Sequence, residues 1–264
     1  ALELEDCGLG PSVARRLAEL VKSGDSKLVS LSVAGNGGIV GASAEALAHA
    51  VLESDTTLRS FSGIALDELR DGTFGASTLN LSSRKLGEVE GIVLTTLLHL
   101  PVPKLTDVRL ERNPGLSGKP AIHLAAALLA SDSILTVSSI PVRDLQEQAL
   151  TELCLVDAGL CVTEAHIIAG LLRVNGSLRS LRLARNTLCG VWLEENEDWG
   201  DEVECGASYC PDGMHSLALA LKSHTSLTEL DLSENALREQ TMGVLRDVKK
   251  LSDVYRPKPL VLRL

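Results

Sequence analysis

Leu178-Arg-Ser-Leu181-Arg-Leu183-Ala-Arg-Asn186 reads LxxLxLxxN, and Leu28 to Asn36, Leu105 to Asn113 and Leu227 to Asn235 read the same way. An aliphatic residue follows each, at Ile39, Leu116, Leu188 and Leu237. In a strand, successive side chains alternate faces, so the two residues of each LxL share one buried face and their neighbours turn to the other. The Asn falls where the chain leaves the strand. Its amide both donates and accepts, so Asn36, Asn113, Asn186 and Asn235 are suited to satisfying backbone groups that no regular sheet reaches. Weaker copies centre on Leu4, Leu81 and Leu155, where Cys7, Arg84 and Asp157 or Ala158 fall in the Asn slot. The ladder is expected to be incomplete.

Working outward, the second inward residues lie 29 apart from Leu4 to Val33, 29 from Leu81 to Leu110 and 28 from Leu155 to Leu183. Helical apolar spacing fills the intervals at Val13 to Val21, Ala44 to Leu52, Val89 to Leu98, Ala121 to Leu129, Ala165 to Leu172, Leu217 to Leu221 and Thr241 to Val248. A longer block is nested over these units. Segments 60–69 and 136–145 match each other, and their Gly63 and Ser139 stand 18 and 16 residues before Leu81 and Leu155, too close for a full helix. A loop or a single helical turn is expected there. Strand positions at 4, 33, 63, 81, 110, 139, 155, 183 and 232 predict about nine parallel strands in a single domain over residues 1–264.

The pattern resembles the leucine-rich repeat family, and the unit length resembles its ribonuclease-inhibitor-like class. The resemblance implies a curved, right-handed α/β solenoid, with parallel strands on the concave face and helices on the convex face. It also implies protein recognition through the concave wall.

With 45% apolar residues the chain carries ample core, and only 2% are aromatic, so aliphatic side chains must fill it. Its 35 acids against 25 bases give a net charge of -10, which argues against nucleic acid as a partner. No apolar run reaches the ~20 residues of a membrane helix, so no membrane insertion is expected. The chain starts at Ala1, partway into a motif, so a preceding segment is open; a cytoplasmic location is the reading adopted.

The spacing breaks once. Leu183 to Leu232 is 49 residues, about one repeat plus ~20, with the excess at about 190–212. Here stand Trp192, Glu194, Glu195, Glu197, Asp198, Trp199, Asp201, Glu202, Glu204 and Tyr209, including seven acids with no base between Glu194 and Glu204. An irregular loop rich in charge and rings, carried on a rigid scaffold, is the candidate binding element. An EF-hand reading fails, because Gly200 at the sixth position puts Trp199 at a ligand position. Cys189, Cys205, Cys210 and His215 lack a CxxC knuckle for zinc, and free thiols are the default, with a disulfide left open in an oxidising compartment.

On the concave face, Arg109 and Arg182 recur in successive blocks, with Glu229 and Asp231 on the last strand. Pairing with neighbouring carboxylates and gripping a partner carboxylate are both open to these arginines. No HExxH, GxSxG, phosphate loop or dinucleotide fingerprint occurs, and the histidines fall on or beside helices. The reading is a non-enzymatic recognition module, with no cofactor and no metal, for another protein with a basic surface. Two rivals stand beside it. One is a GTPase activator of the Ran type; the other is the sensor region of an NLR-like receptor or a subunit of a cytoskeletal assembly.

Overall fold

The computed structural model describes residues 1–23, 27–54, 57–195, 202–256 and 258–264. The chain divides into two compact units, Ala1–Ser133 and Ile134–Leu264. In the first, β1 (Leu2–Glu3), α1 (Pro11–Lys22), β2 (Ser30–Ser32), α2 (Ala42–Glu53), β3 (Ser60–Phe61), β4 (Ile64–Ala65), α3 (Leu66–Arg70), β5 (Thr78–Asn80), α4 (Glu88–Leu98), β6 (Asp107–Arg109) and α5 (Gly118–Ala130) follow in order. The second runs β7 (Thr136–Val137), β8 (Ile140–Pro141), α6 (Val142–Gln146), β9 (Glu152–Cys154), α7 (Val162–Val174), β10 (Ser180–Arg182), β11 (Val191–Glu195), β12 (Glu202–Gly206), α8 (Asp212–Ser223), β13 (Glu229–Asp231), α9 (Glu239–Tyr255) and β14 (Val261–Arg263). Strand and helix alternate as the repeat spacing requires.

The repeat strands pair in parallel. In the first unit β1 joins β2, β2 joins β3, and β5 joins β6, with Leu2 opposite Leu31, Leu31 opposite Phe61, and Leu79 opposite Val108. In the second, β9, β10, β13 and β14 form one sheet with Leu153, Leu181, Leu230 and Leu262 in a single row. A second inward row includes Leu81 and Leu110 in the first unit and, separately, Leu183 and Leu232 in the second, all at most 1% exposed. A buried leucine of this kind stabilises by roughly 1.5–3 kcal/mol through removal of apolar surface from water. The stripe is the core of each unit.

At the end of each repeat the Asn turns back to the preceding one. Asn113 Nδ2 donates to Leu81 O and Leu110 O at 2.8 Å, and its Oδ1 accepts from the N–H groups of Arg84 and Leu86 at 3.0 Å. Asn186 does the same with Leu155, Leu183, Ala158 and Leu160. Asn36 donates to Leu4 O and Val33 O and accepts from Leu9 N–H. Asn235 donates to Leu183 O and Leu232 O, yet its buried Oδ1 finds no partner among the described residues. The acceptor side of the ladder stops where the long insertion begins.

The two short units are tight antiparallel hairpins, β3 with β4 and β7 with β8, each followed by one five-residue helix. Their turn residues Ser62 and Gly63, and Ser138 and Ser139, have φ of 47°, 82°, 49° and 66°. Two successive positive φ values match the twist of a two-residue hairpin. Each hairpin aims a serine inward. Ser62 Oγ donates to Glu90 Oε1 at 2.7 Å, and Ser138 Oγ to Glu164 Oε1 at 2.7 Å. The other oxygen of each carboxylate accepts from the backbone at the helix start, Gly87 N–H for Glu90 and Cys161 N–H for Glu164, both at 2.9 Å. Because α3 is so short, α2 packs directly on α4.

Several expectations are corrected. Ser32, Ala34, Ser62, Ser138 and Ala184, which strand alternation beside the inward residues would turn outward, are all under 9% exposed, the two turn serines because they point at buried glutamates. The segment after β10 is a hairpin rather than an irregular loop, since Val191 to Glu195 pairs antiparallel with Glu202 to Gly206. A tenth repeat strand, β14, lies parallel on β13, one more than the nine expected. No helix among the described residues is long and apolar enough to cross a membrane.

Candidate protein-interaction site

The hairpin β11–β12 grows from the turn that follows Asn186. Gly190 N–H donates to Thr187 O at 2.7 Å, Cys210 N–H to Cys189 O at 2.9 Å, and Ala207 N–H to Gly190 O at 3.0 Å. Cys189 and Val191 are buried beneath this base. Burial pushes the Cys189 thiol up to about 11, against a smaller opposing pull from a hydrogen bond with Tyr209, so it is a packed thiol. None of the six cysteines is joined in a disulfide. Among the described residues no group of three or more His, Cys, Asp or Glu side chains could hold a metal ion.

Tyr209 ties this base to the next repeat. Its hydroxyl is 2.7 Å from Thr241 Oγ1 and accepts from Arg238 N–H at 3.1 Å, while the Arg238 guanidinium lies 4.1 Å from the ring centroid. Such a cation over a ring is worth about 0.5–1 kcal/mol at a partly exposed site. Tyr209 is therefore engaged within the chain at the start of α9. Trp192 crosses the hairpin: a Cβ at Gly206, where φ is +110°, would come within 2.8 Å of its ring. Trp192 and Leu193 remain 38% and 48% exposed.

Glu194, Glu195, Glu202 and Glu204 lie on the two hairpin strands by backbone register. Glu197, Asp198, Trp199 and Asp201 lie outside the described residues. The charge concentration there is thus a property of sequence, and its support is a property of the hairpin base.

The wall residues Arg182, Glu229 and Asp231 come together on β10 and β13, with Arg182 directly opposite Asp231 in register. Glu229 accepts from Ser180 Oγ at 2.9 Å and has Arg182 at 3.8 Å and Arg263 at 3.4 Å. Asp231 accepts from the N–H and hydroxyl of Ser233 and faces Arg263 at 3.7 Å. Partial burial works to raise its carboxyl, but the Ser233 hydrogen bonds, with Arg263 and Arg182, hold it below the usual carboxylate range. Arg109, on β6 of the first unit, donates from Nε to Asp107 at 3.0 Å. The arginines thus already hold carboxylates of their own chain. Arg263 is the member that sequence reasoning missed; the alternation of Leu260, Leu262 and Leu264 was the available signal.

No family model matches the chain, and no curated protein matches it. The solved structure of leiomodin-1 actin-binding site 2 is 12% identical, over 69% of this chain and 84% of that one, with a TM-score of 0.33. The C-terminal domain of tropomodulin from Caenorhabditis elegans is 10% identical, over 90% and 92%, with a TM-score of 0.22. The parallel strands, inward leucines and asparagine turns recur from repeat to repeat within each unit.

Proposed function

We propose that the chain is a protein-recognition module with no chemistry of its own, which engages a basic surface through the acidic hairpin and the wall at Arg182, Glu229 and Asp231. Its repeats are read as one curved solenoid of the ribonuclease-inhibitor-like class; units of 28 to 29 residues, each with a helix, support that reading. A cytoplasmic setting belongs to the same proposal.

The observation that carries it is the contrast within the insertion. Its base is fastened by Tyr209, Cys189 and Val191, while Trp192 and Leu193 are 38% and 48% exposed at the head of a sequence stretch that carries seven acids. A fixed base lowers the ordering cost of binding, and exposed rings beside charge supply contact area and steering. The test replaces Glu194 to Glu204 with a Gly/Ser linker and compares which proteins of the source cell each form retains at low and high salt. Loss of a salt-sensitive, basic set of partners supports the role; an unchanged set with unchanged salt dependence refutes it. The Ran-activator rival predicts faster GTP hydrolysis by a small GTPase in the presence of the chain, and the recognition reading predicts no change.

A further inference from the structure

In a protein with ten more acids than bases, one cleft of the second unit is lined by three cations and one carboxylate. It is open, about 780 Å³, and bordered by Arg179, Lys258 and Arg263, the hydroxyl residues Thr225, Ser226 and Thr228, Glu229, and the aliphatic faces of Pro259 and Val261. This lies within the size range of small-ligand sites.

The charges there do not cancel. Glu229 and Asp231 hold Arg182 and Arg263. Arg179 Nη1 donates only to Ser226 O at 3.1 Å, a neutral carbonyl, and Lys258 has no carboxylate partner among the described residues. The hydroxyls of Ser226 and Thr228 donate to Gly176 O and Arg179 O, which fixes the rim without satisfying either cation. Two unneutralised cations beside exposed Val261 and Pro259 call for a ligand with anionic and aliphatic groups in alternation.

We propose that this cleft binds a short, extended acidic peptide segment of a partner protein, with Arg179 and Lys258 gripping its carboxylates and Pro259 and Val261 covering its aliphatic side chains. The site is separate from the acidic hairpin and of opposite sign, and it meets the wall only at Glu229, whose charge is taken up by Arg182 and Arg263, so the module recognises two chemistries.

The probe is a fluorescein-labelled oligoglutamate peptide with leucine at alternate places, followed by anisotropy with the full chain. Binding that weakens with salt is expected. R179E/K258E should weaken it at least about tenfold, as expected from losing one strong charged contact or more. R179Q/K258Q, which removes charge without adding repulsion, should weaken it in the same direction by less. K104E/K119E, an equal reversal at exposed sites of the first unit, and the Gly/Ser hairpin variant should leave it unchanged. The proposal is overturned if the peptide does not bind, if the glutamine analogue binds equally, or if both reversals weaken it alike. It is also overturned if inorganic phosphate displaces the probe as readily as unlabelled peptide, which would mark a simple anion site.

Discussion

The first unit and the second share their framework: parallel repeat strands, backward-reaching asparagines, and a hairpin serine hydrogen-bonded to a buried glutamate at the next full helix. Only the second departs from it, with the β11–β12 hairpin on one turn and the cation-lined cleft beside its last strands. Regularity holds each unit together, and recognition is expected where the regularity is broken. The same framework supports both, because an insertion at a turn leaves α7 packed directly on α8.

The largest effects should come from the shared framework. Asn186→Ala orphans the N–H of Leu160 and the carbonyls of Leu155 and Leu183, and should cost about 4 kcal/mol in urea unfolding, with Asn113→Ala alike. Asn235→Ala, which loses only the donor side, should cost about half as much. Equal losses at 186 and 235 would break the account of the ladder.

Next come close helix contacts. A methyl at Gly213 would stand 2.6 Å from Ala165 Cβ and 2.9 Å from Val162 O; at Gly91 it would meet Pro120 at 3.0 Å and Leu116 at 3.3 Å. Gly213→Ala should destabilise by about 2 kcal/mol and Gly91→Ala by about 1, measured by thermal unfolding. The difference follows from the backbone oxygen, which cannot rotate away.

Acidification should move the buried carboxyls and the buried imidazoles in opposite directions. Burial raises the carboxyls of Glu90 and Glu111 in the first unit above 4.5, so their stabilising protonated state is complete below 4.5 and is lost as pH climbs through the folded value. Burial lowers His166 and His224 in the second unit below 6.5, so their contribution is complete above 6.5 and is lost as pH falls below it. As pH falls below 6.5, amide protection corrected for intrinsic exchange should rise around Glu90 and fall around His166 and His224. E90Q should flatten the first trend. The smallest stability effect is expected from the Gly/Ser hairpin variant, within about 0.5 kcal/mol of the parent, because the hairpin base with Cys189, Val191 and Tyr209 is left intact.

The repeat strands were legible because LxxLxLxxN fixes face, turn and spacing together, and all seven helical stretches with full apolar periodicity form. The short hairpins were not read as such, although Ser62-Gly63 between Phe61 and Ile64 is a two-residue turn signal. Glu90 and Glu164 escaped notice because a glutamate three residues into a helix looks solvent-facing until its serine partner arrives from a hairpin 26 to 28 residues earlier. The hairpin strands were hidden by their charge, which carries no apolar alternation. For the site, Arg182, Glu229 and Asp231 were predicted by register, whereas Arg179, Lys258 and Arg263 are 84 residues apart at their extremes and nothing local joins them.

Each asparagine reaches only toward what precedes it: Asn36 to Leu4, Asn113 to Leu81, Asn186 to Leu155, Asn235 to Leu183. The molecule therefore has a direction of construction. A chain leaving the ribosome meets, at every such turn, an acceptor already synthesised, and a shortened version cut from the rear strands no amide, whereas one cut from the front empties the grip of the first asparagine left behind.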